Sequence, residues 1–156
     1  MTSTSDRYDE LGHRAIVCEL PFRQFGGVRA FSGEIATVRC LEDNVLVKQR
    51  VAEPGNGRVL VVDAGGSLRC ALVGDNVAGA AHSNGWVGLV INGCVRDVEA
   101  LADLAIGIKA IGTCPRPSNK DGEGAVDVPV VFGSATFRPG AMLWSDEDGI
   151  LVLDRS

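Results

Sequence analysis

The centre of the chain contains continuous apolar runs of five or six residues, as expected for strands buried on both faces of a sheet. Between these runs, apolar residues recur three or four positions apart, which predicts helices with one buried side. The predicted order is strand Arg58–Asp63, helix Asp75–His82, strand Trp86–Ile91, a helix opened by Asp97, and strand Gly107–Ile111. This spacing predicts right-handed βαβ units and a parallel sheet.

The two ends of the chain are richer in short β-forming runs separated by glycine turns. Upstream we predict a helix from Ser5 or Asp6 to Leu11, strands over Val17–Phe22 and Phe31–Cys40, and a helix over Asn44–Glu53. Downstream, a polar loop over Arg116–Gly124 precedes short strands within 127–133, 134–140, 141–149 and 150–154. The pattern predicts one α/β layered domain over residues 1–156, with a parallel βαβ centre and β-rich flanks.

Composition and charge argue against nucleic-acid-binding, membrane-spanning and secreted classes of protein. The net charge is −5 and no Lys/Arg cluster occurs, which argues against direct binding of nucleic acid. No apolar run approaches membrane-spanning length, and the N-terminal ten residues lack the features of a secretory signal. The five cysteines are scattered, which predicts reduced thiols in a cytoplasmic protein. Cys94 could line a site near Arg96, but no base stands beside it in the sequence.

Two polar positions interrupt the central pattern. Asp75 follows Gly74 at the start of one predicted helix, and Arg96-Asp97 begins the next after a predicted loop over Asn92–Val95. Twenty residues separate Asp75 from Arg96, about what one helix and one strand require to return to the same sheet edge.

These positions allow two readings. Each aspartate could simply cap its helix, and Arg96 could form a surface ion pair with Asp97 or Glu99. Alternatively, the carboxylates could hold Mg²⁺ while the planar Arg96 guanidinium binds a substrate carboxylate. Because parallel sheets collect ligands beyond the carboxyl ends of their strands, we interpret these residues as one small anion-and-metal site.

The motif carries a resemblance to a known family. The segment GDNVAGAAHSNGWVGLVINGCVRD, from Gly74 to Asp97, resembles the class II aldolase and regulator-of-ribonuclease-activity-A-like family. That family includes 4-hydroxy-4-methyl-2-oxoglutarate aldolases and has the signature Asp, twenty residues, then Arg-Asp. The similarity extends from QFGG and TVRC near the start to SDEDGILV near the end, and is closest to short actinobacterial members.

The resemblance implies a swivelling β/β/α domain assembled as a homotrimer or a dimer of trimers, with sites between subunits. It implies cleavage of a small 2-oxo acid with Mg²⁺ or Mn²⁺, and oxaloacetate decarboxylation through the same pyruvate enolate. In the family pattern, Asp97 binds the metal, Arg96 contacts the substrate, and Asp75 reaches metal-bound water. Backbone N–H groups that bind the substrate carboxylate come from Gly74, Asp75, Asn76 and Val77.

The sequence also departs from the aldolase pattern. Ala100 stands where established aldolases tend to carry an acid, and Glu99 lies one place early. Those aldolases draw a further carboxylate from a C-terminal extension of the neighbouring subunit, whereas here the remaining acidic cluster, Asp146–Asp148, is expected to be a solvated turn. These departures predict a weak metal site.

The same resemblance therefore leaves an alternative function, a non-catalytic trimeric regulator that binds and inhibits a ribonuclease E-type enzyme. A methyltransferase is not favoured, because the turn Asp63–Gly66 lacks the GxGxxG pattern.

Overall fold

The computed structural model describes residues 1–153. Its helices are α1 (Thr4–Leu11), α2 (Val45–Val51), α3 (Asp75–Ser83) and α4 (Val98–Ala102), with a 3₁₀ turn at Gly12–Arg14. The first six strands are β1 (Ala15–Val17), β2 (Arg23–Gln24), β3 (Phe31–Arg39), β4 (Val59–Asp63), β5 (Ala71–Val73) and β6 (Gly88–Val95). The other six are β7 (Gly107–Thr113), β8 (Ala125–Val126), β9 (Val130–Phe132), β10 (Ala135–Phe137), β11 (Met142–Asp146) and β12 (Gly149–Leu153).

A parallel core of four strands, in the order β3-β4-β6-β7, forms the middle of the main sheet. Helices α2, α3 and α4 provide the crossovers between successive members of this group. Antiparallel strands extend it on both sides, β11, β12 and β1 beyond β3 and β2 beyond β7. The prediction of an α/β fold with a parallel centre and β-rich flanks is confirmed.

The apolar side chains of β4 face opposite sides of the sheet in turn, and both sides are covered. Leu60 and Val62 belong to the core beneath the helices, whereas Val59 and Val61 belong to a second core lined by the C-terminal strands. All four are 0% exposed, which explains the uninterrupted apolar run. The second core includes the stacked rings of Phe132 and Phe137.

The N-terminal segment differs from the prediction. The strand predicted over Val17–Phe22 is wrong: β1 ends at Val17, because the chain leaves β12 after the bond from Cys18 N–H to the Ile150 carbonyl and then turns before Phe22. Helix α1 is capped by the hydroxyl of Ser3 rather than starting at Ser5 or Asp6.

The predicted loop Asn92–Val95 is also wrong, because strand β6 continues to Val95. Its last residues pair with β7 on one side and with the short strand β5 on the other, where Ala71 pairs with Cys94 and Val73 with Val95. Helix α2 is shorter than the predicted 44–53, and the downstream segments form the hairpins β9–β10 and β11–β12. Strand β12 is described to Leu153, and the predicted final residue, Asp154, lies outside the described residues.

Close packing at Gly107 gives the first testable prediction. The Phe31 ring lies across Gly88 and Gly107, so a Cβ at Gly107 would overlap the ring. Gly107→Ala should lower the free energy of unfolding by about 1–3 kcal/mol because the ring cannot move within the packed core. Gly79, inside α3, has open space where a Cβ would lie, and Gly79→Ala should raise stability by roughly 0.5–1 kcal/mol.

Urea unfolding of both variants at one protein concentration checks this pair. Equal stabilities for Gly107→Ala and wild type would contradict the packing of Phe31 described above.

Candidate active site

The candidate site lies where two neighbouring parallel strands end. Strand β5 ends at Val73 and α3 begins at Asp75, while β6 ends at Val95 and Arg96-Asp97 leads into α4. The backbone N–H of Arg96 donates to the Val73 carbonyl at 3.0 Å, so the two turns are joined directly. The structure therefore brings Gly74, Asp75, Arg96 and Asp97 together at the carboxyl edge of the sheet, where α/β proteins bind ligands.

A hydrogen bond between the two turns fixes the Asp97 carboxylate. Its Oδ2 accepts from the backbone N–H of Asp75 at 3.0 Å. Gly74 allows this approach, because a Cβ there would lie 2.5 Å from Asp97 Oδ2 and 3.4 Å from Arg96 Cγ. A side chain at position 74 would thus displace the Asp97 carboxylate.

Neither aspartate side chain caps the helix that follows it in the chain. Asp97 precedes α4 in a left-handed conformation, with φ of 61° and ψ of 43°, and its side chain makes no capping bond to that helix. Its carboxylate instead satisfies the first N–H of α3. Asp75 is the first residue of α3 and Gly74 occupies the cap position, so Asp75 is not a cap either. Its negative charge in the first turn interacts favourably with the positive end of the helix dipole.

Hydrogen bonding lowers the pKa of the Asp97 carboxyl. The N–H of Asp75 lowers the pKa of the Asp97 carboxyl most strongly, partial burial opposes this, and the Asp75 side chain and the Arg96 guanidinium lower it further. The side chains of Asp75, Arg96 and Asp97 all lie at the surface. The site therefore presents an ionised carboxylate to solvent at neutral pH.

The Arg96 guanidinium forms no ion pair among the described residues. Within residues 1–153, no salt bridge includes Arg96, so the predicted alternative of a pair with Asp97 or Glu99 is not observed. Its Nη1 donates to the Pro115 carbonyl at 3.4 Å, which places the guanidinium beside the loop that follows β7. The other donors of the guanidinium can serve an anion.

Two further backbone donors point out of the start of α3. The first N–H groups of a helix have no acceptor within it. The bond from Ala78 N–H to the Gly74 carbonyl is the first of the helix, so the N–H groups of Asn76 and Val77 precede the regular ladder. The Asn76 side chain is exposed, whereas the Val77 side chain is 6% exposed and packs in the core. Of these two residues, Val77 could contribute only its backbone to a ligand.

The donor set suits a hard divalent cation with few protein ligands. No group of three or more His, Cys, Asp or Glu side chains is arranged to hold a metal in the described part of the chain. Asp75 and Asp97 provide two carboxylates, and Mg²⁺ commonly takes one or two, with water and substrate oxygens completing its shell. These two carboxylates could therefore hold Mg²⁺ or Mn²⁺.

The acidic cluster near the C-terminus serves the N-terminal helix instead. The Asp146 carboxylate accepts from Thr4 N–H at 2.8 Å and from Thr4 Oγ1 at 2.7 Å. Asp148 accepts from Ser5 at 2.8 Å, and Glu147 pairs with Arg29. This turn secures α1 to the β11–β12 hairpin and provides no ligand to the site.

A polar pair next to the site was not predicted from the sequence. Asn92 Nδ2 donates to Asp63 Oδ1 at 3.0 Å, and the same oxygen accepts from Gly65 N–H at 2.9 Å. These bonds shape the turn after β4. A polar residue inside the apolar run of β6 is the signal that could have indicated this role. Cys94 does not line the site, since it is 0% exposed beneath the sheet edge.

The family of this chain follows from its match to a known protein family. Residues 2–152 match the RraA-like family, which is described as Aldolase/RraA. The chain belongs to this family. The family covers aldolase or decarboxylase members as well as ribonuclease inhibitors, and the resemblance inferred from the Asp75, Arg96 and Asp97 motif is confirmed.

Solved structures of RraA-like proteins share the fold. A Geobacillus kaustophilus protein described as S-adenosylmethionine: 2-dimethylmenaquinone methyltransferase is 46% identical, with a TM-score of 0.95 over 99% of this chain and 96% of its own. The RNA-processing inhibitor RraA from Thermus thermophilis is 42% identical, with a TM-score of 0.95 over 98% and 93%. RraAS2 of Streptomyces coelicolor, described as an unusual member of the RNase ES inhibitor RraA family, is 26% identical, with a TM-score of 0.78 over 97% and 81%.

The helices of this RraA-like chain are short. Within residues 1–153, none has the length and apolar character needed to cross a membrane.

The close approach at Gly74 generates the second prediction. Gly74→Ala should push the Asp97 carboxylate away from the Asp75 N–H, and the pKa of Asp97 should rise towards its ordinary value because its main stabilising bond is lost. A carboxyl ¹³C NMR titration measures this pKa. Gly79→Ala, in the same helix, is the matched control and should leave the Asp97 pKa unchanged. An unaltered Asp97 pKa in Gly74→Ala would show that the bond does not govern this carboxylate.

Proposed function

We propose that this protein is a divalent-metal-dependent carbon–carbon lyase. Its substrate is 4-hydroxy-4-methyl-2-oxoglutarate, cleaved to two molecules of pyruvate, with oxaloacetate decarboxylation as a side activity. The observation that carries this proposal is the Asp97 carboxylate, held at 3.0 Å by the Asp75 N–H beside an Arg96 that makes no salt bridge within residues 1–153. This arrangement offers adjacent negative and positive groups to a metal ion and a keto acid.

The substrate carboxylate next to the keto group binds to cationic and backbone donors. Arg96 offers a planar fork that matches a carboxylate. The N–H groups of Asn76 and Val77, at the start of the nine-residue helix α3, add hydrogen bonds and the positive end of the helix dipole. Together these groups orient the 2-oxo acid with its reactive carbon chain towards the two aspartates.

Asp97, assisted by Asp75, is the proposed holder of Mg²⁺ or Mn²⁺. When bound, the metal supplies Lewis-acid polarisation of the keto oxygen and stabilises the negative charge of the pyruvate enolate. Arg96 lies beside Asp97 and adds positive charge where the enolate develops.

Asp75 is the proposed acceptor of the proton that aldol cleavage releases. As the C3–C4 bond breaks, its electron pair passes to the enolate and the C4 hydroxyl becomes a carbonyl, so the hydroxyl proton must leave. The exposed Asp75 carboxylate takes this proton, directly or through one water. The enolate then gains a proton at C3 to give the first pyruvate, and the C4 fragment is the second. Decarboxylation of oxaloacetate yields the same enolate without this base.

A second candidate function rests on the comparisons. The Thermus relative is described as an RNA-processing inhibitor, and it matches 98% of this chain at 42% identity. A trimeric regulator that binds a ribonuclease is therefore the alternative, and its function would not require a metal at Asp97. The methyltransferase description of the Geobacillus relative is not carried over, since the turn Asp63–Gly66 lacks the GxGxxG pattern of a nucleotide-binding turn.

The lyase proposal predicts a specific loss in Asp97→Asn. The amide can keep the left-handed backbone and still accept from Asp75 N–H, but it removes the negative charge that holds the cation. Pyruvate release with Mg²⁺ should fall by at least about 100-fold, as expected when a metal site is disrupted. A coupled lactate dehydrogenase assay on 4-hydroxy-4-methyl-2-oxoglutarate and on oxaloacetate measures the rate.

Asp103→Asn is the matched control, because Asp103 is exposed at the end of α4 and should leave the rate unchanged. Light scattering of both variants shows whether assembly is retained. A normal rate of pyruvate release by Asp97→Asn would contradict the proposed metal-dependent lyase activity. A wild-type protein that binds a ribonuclease and releases no pyruvate would favour the regulator.

A further inference from the structure

A lysine far from the motif in sequence is tied to the same sheet edge. Lys120 Nζ donates to Asn44 Oδ1 at 2.7 Å and to Ser118 Oγ at 3.2 Å. Asn44 Nδ2 in turn donates to the Leu72 carbonyl at 3.0 Å, two residues before Gly74. The Asn44 amide thus connects the Lys120 ammonium to the strand that leads into the Gly74-Asp75 turn.

A buried carboxylate fixes the loop that carries this lysine. Asp43 is 2% exposed, and its Oδ2 accepts from the backbone N–H groups of Asp121 at 2.7 Å and Gly122 at 3.0 Å. Its Oδ1 accepts from Val45 N–H at 3.0 Å. Burial alone would raise the pKa of Asp43, but these N–H bonds outweigh it and the pKa is lowered. The Asp43 carboxylate is bonded to the backbone and forms no salt bridge with Lys120 among residues 1–153.

The same loop is attached to the site from its other end. Arg96 donates to the Pro115 carbonyl, and Asn119 N–H donates to the Glu42 carbonyl at 2.8 Å. Burial and the positive charges of Lys48 and Arg96 lower the pKa of Lys120, and the negative charge of Asp43 only partly opposes them. None of Lys48, Arg96 and Lys120 takes part in a salt bridge among residues 1–153. Positive charges that form no salt bridge remain available to a bound anion.

From this arrangement, and resting on the lyase function proposed above, we propose that Lys120 binds the second carboxylate of a dicarboxylic 2-oxo acid. Arg96 and the start of α3 take the carboxylate beside the keto group, and Lys120 takes the one at the far end. Asp43 and Asn44 are positioning residues, since they act by holding the loop and the ammonium in place.

This assignment also predicts a preference for aldol cleavage over decarboxylation. Aldol cleavage leaves the far carboxylate intact on the second pyruvate. Decarboxylation of oxaloacetate instead releases that group as neutral CO₂, with the electron pair of the broken bond passing to the enolate. A cation that stabilises the carboxylate charge opposes its loss as CO₂. Lys120 therefore assists the first reaction and hinders the second.

Binding of two matched ligands tests Lys120 without turnover. 2-Oxoglutarate has the five-carbon chain and both carboxylates of the proposed substrate but lacks its 4-hydroxyl and 4-methyl groups. In 2-oxopentanoate a methyl group replaces the far carboxylate of 2-oxoglutarate. Titration calorimetry of the full chain with Mg²⁺ should show tighter binding of 2-oxoglutarate by wild type. Lys120→Met should raise the Kd of 2-oxoglutarate by about tenfold, which corresponds to the loss of one charge-assisted hydrogen bond. The Kd of 2-oxopentanoate should stay unchanged. Lys120→Arg should restore most of the difference.

Two further variants separate a positioning role from a general loss of structure. Asp43→Asn keeps the size of the side chain but cannot accept at both oxygens, so it should reduce 2-oxoglutarate binding selectively. A purely structural role would weaken both ligands equally. Arg138→Met removes an exposed positive charge between β10 and β11, away from the candidate site. It should leave the affinities for 2-oxoglutarate and 2-oxopentanoate unchanged.

The outcomes distinguish this inference from the function on which it rests. If wild type binds neither 2-oxo acid, the lyase proposal fails and the role of Lys120 fails with it. If wild type binds both and Lys120→Met changes both equally or neither, the lyase proposal stands and the assignment of Lys120 is wrong.

Discussion

The hydrogen bond from the Asp75 N–H to the Asp97 carboxylate is the contact on which the candidate site depends. It joins the turn after β5 to the turn after β6, and it requires a glycine at position 74. The same bond lowers the pKa of the Asp97 carboxylate, which lies beside Arg96. Without it, the bond from Arg96 N–H to the Val73 carbonyl would still join the two turns, but the Asp97 carboxylate would lose its fixed position.

The parallel sheet places these turns side by side. Strands β4 and β6 are buried on both faces, so their register is fixed by packing in two cores. Strand β5 adds to the end of β6 and delivers the Gly74-Asp75 turn beside Arg96. The rigidity of the strands thus positions side chains that are themselves exposed, which leaves them free to contact a ligand.

Most of the fold could be predicted from the sequence, because the apolar runs of β4, β6 and β7 and the helical spacing after Asp75 are local signals. The continuation of β6 through Asn92–Val95 could not, since the end of β6 is held by long-range pairing with β7 and with the three-residue strand β5. The anchoring of α1 by Asp146 was missed for a similar reason, because Thr4 and Asp146 are separated by most of the chain.

The candidate site was predicted in part. Asp75, Arg96 and Asp97 stand out as polar residues at the ends of apolar segments, and the structure brings them together. Asn44, Asp43 and Lys120 carried no comparable signal, because they meet only through a loop that closes back over the start of α2. Long-range hydrogen bonds of this kind leave no periodic pattern in a sequence.

The proposed lyase has its most direct test in a crystal structure grown with Mn²⁺ and oxalate, an unreactive mimic of the pyruvate enolate. Diffraction data collected at the manganese absorption edge locate the metal independently of the protein atoms. The account predicts an anomalous peak at the Asp97 carboxylate, with oxalate bound to the metal and in contact with Arg96. A peak away from Asp97, or oxalate bound without Arg96, would contradict it.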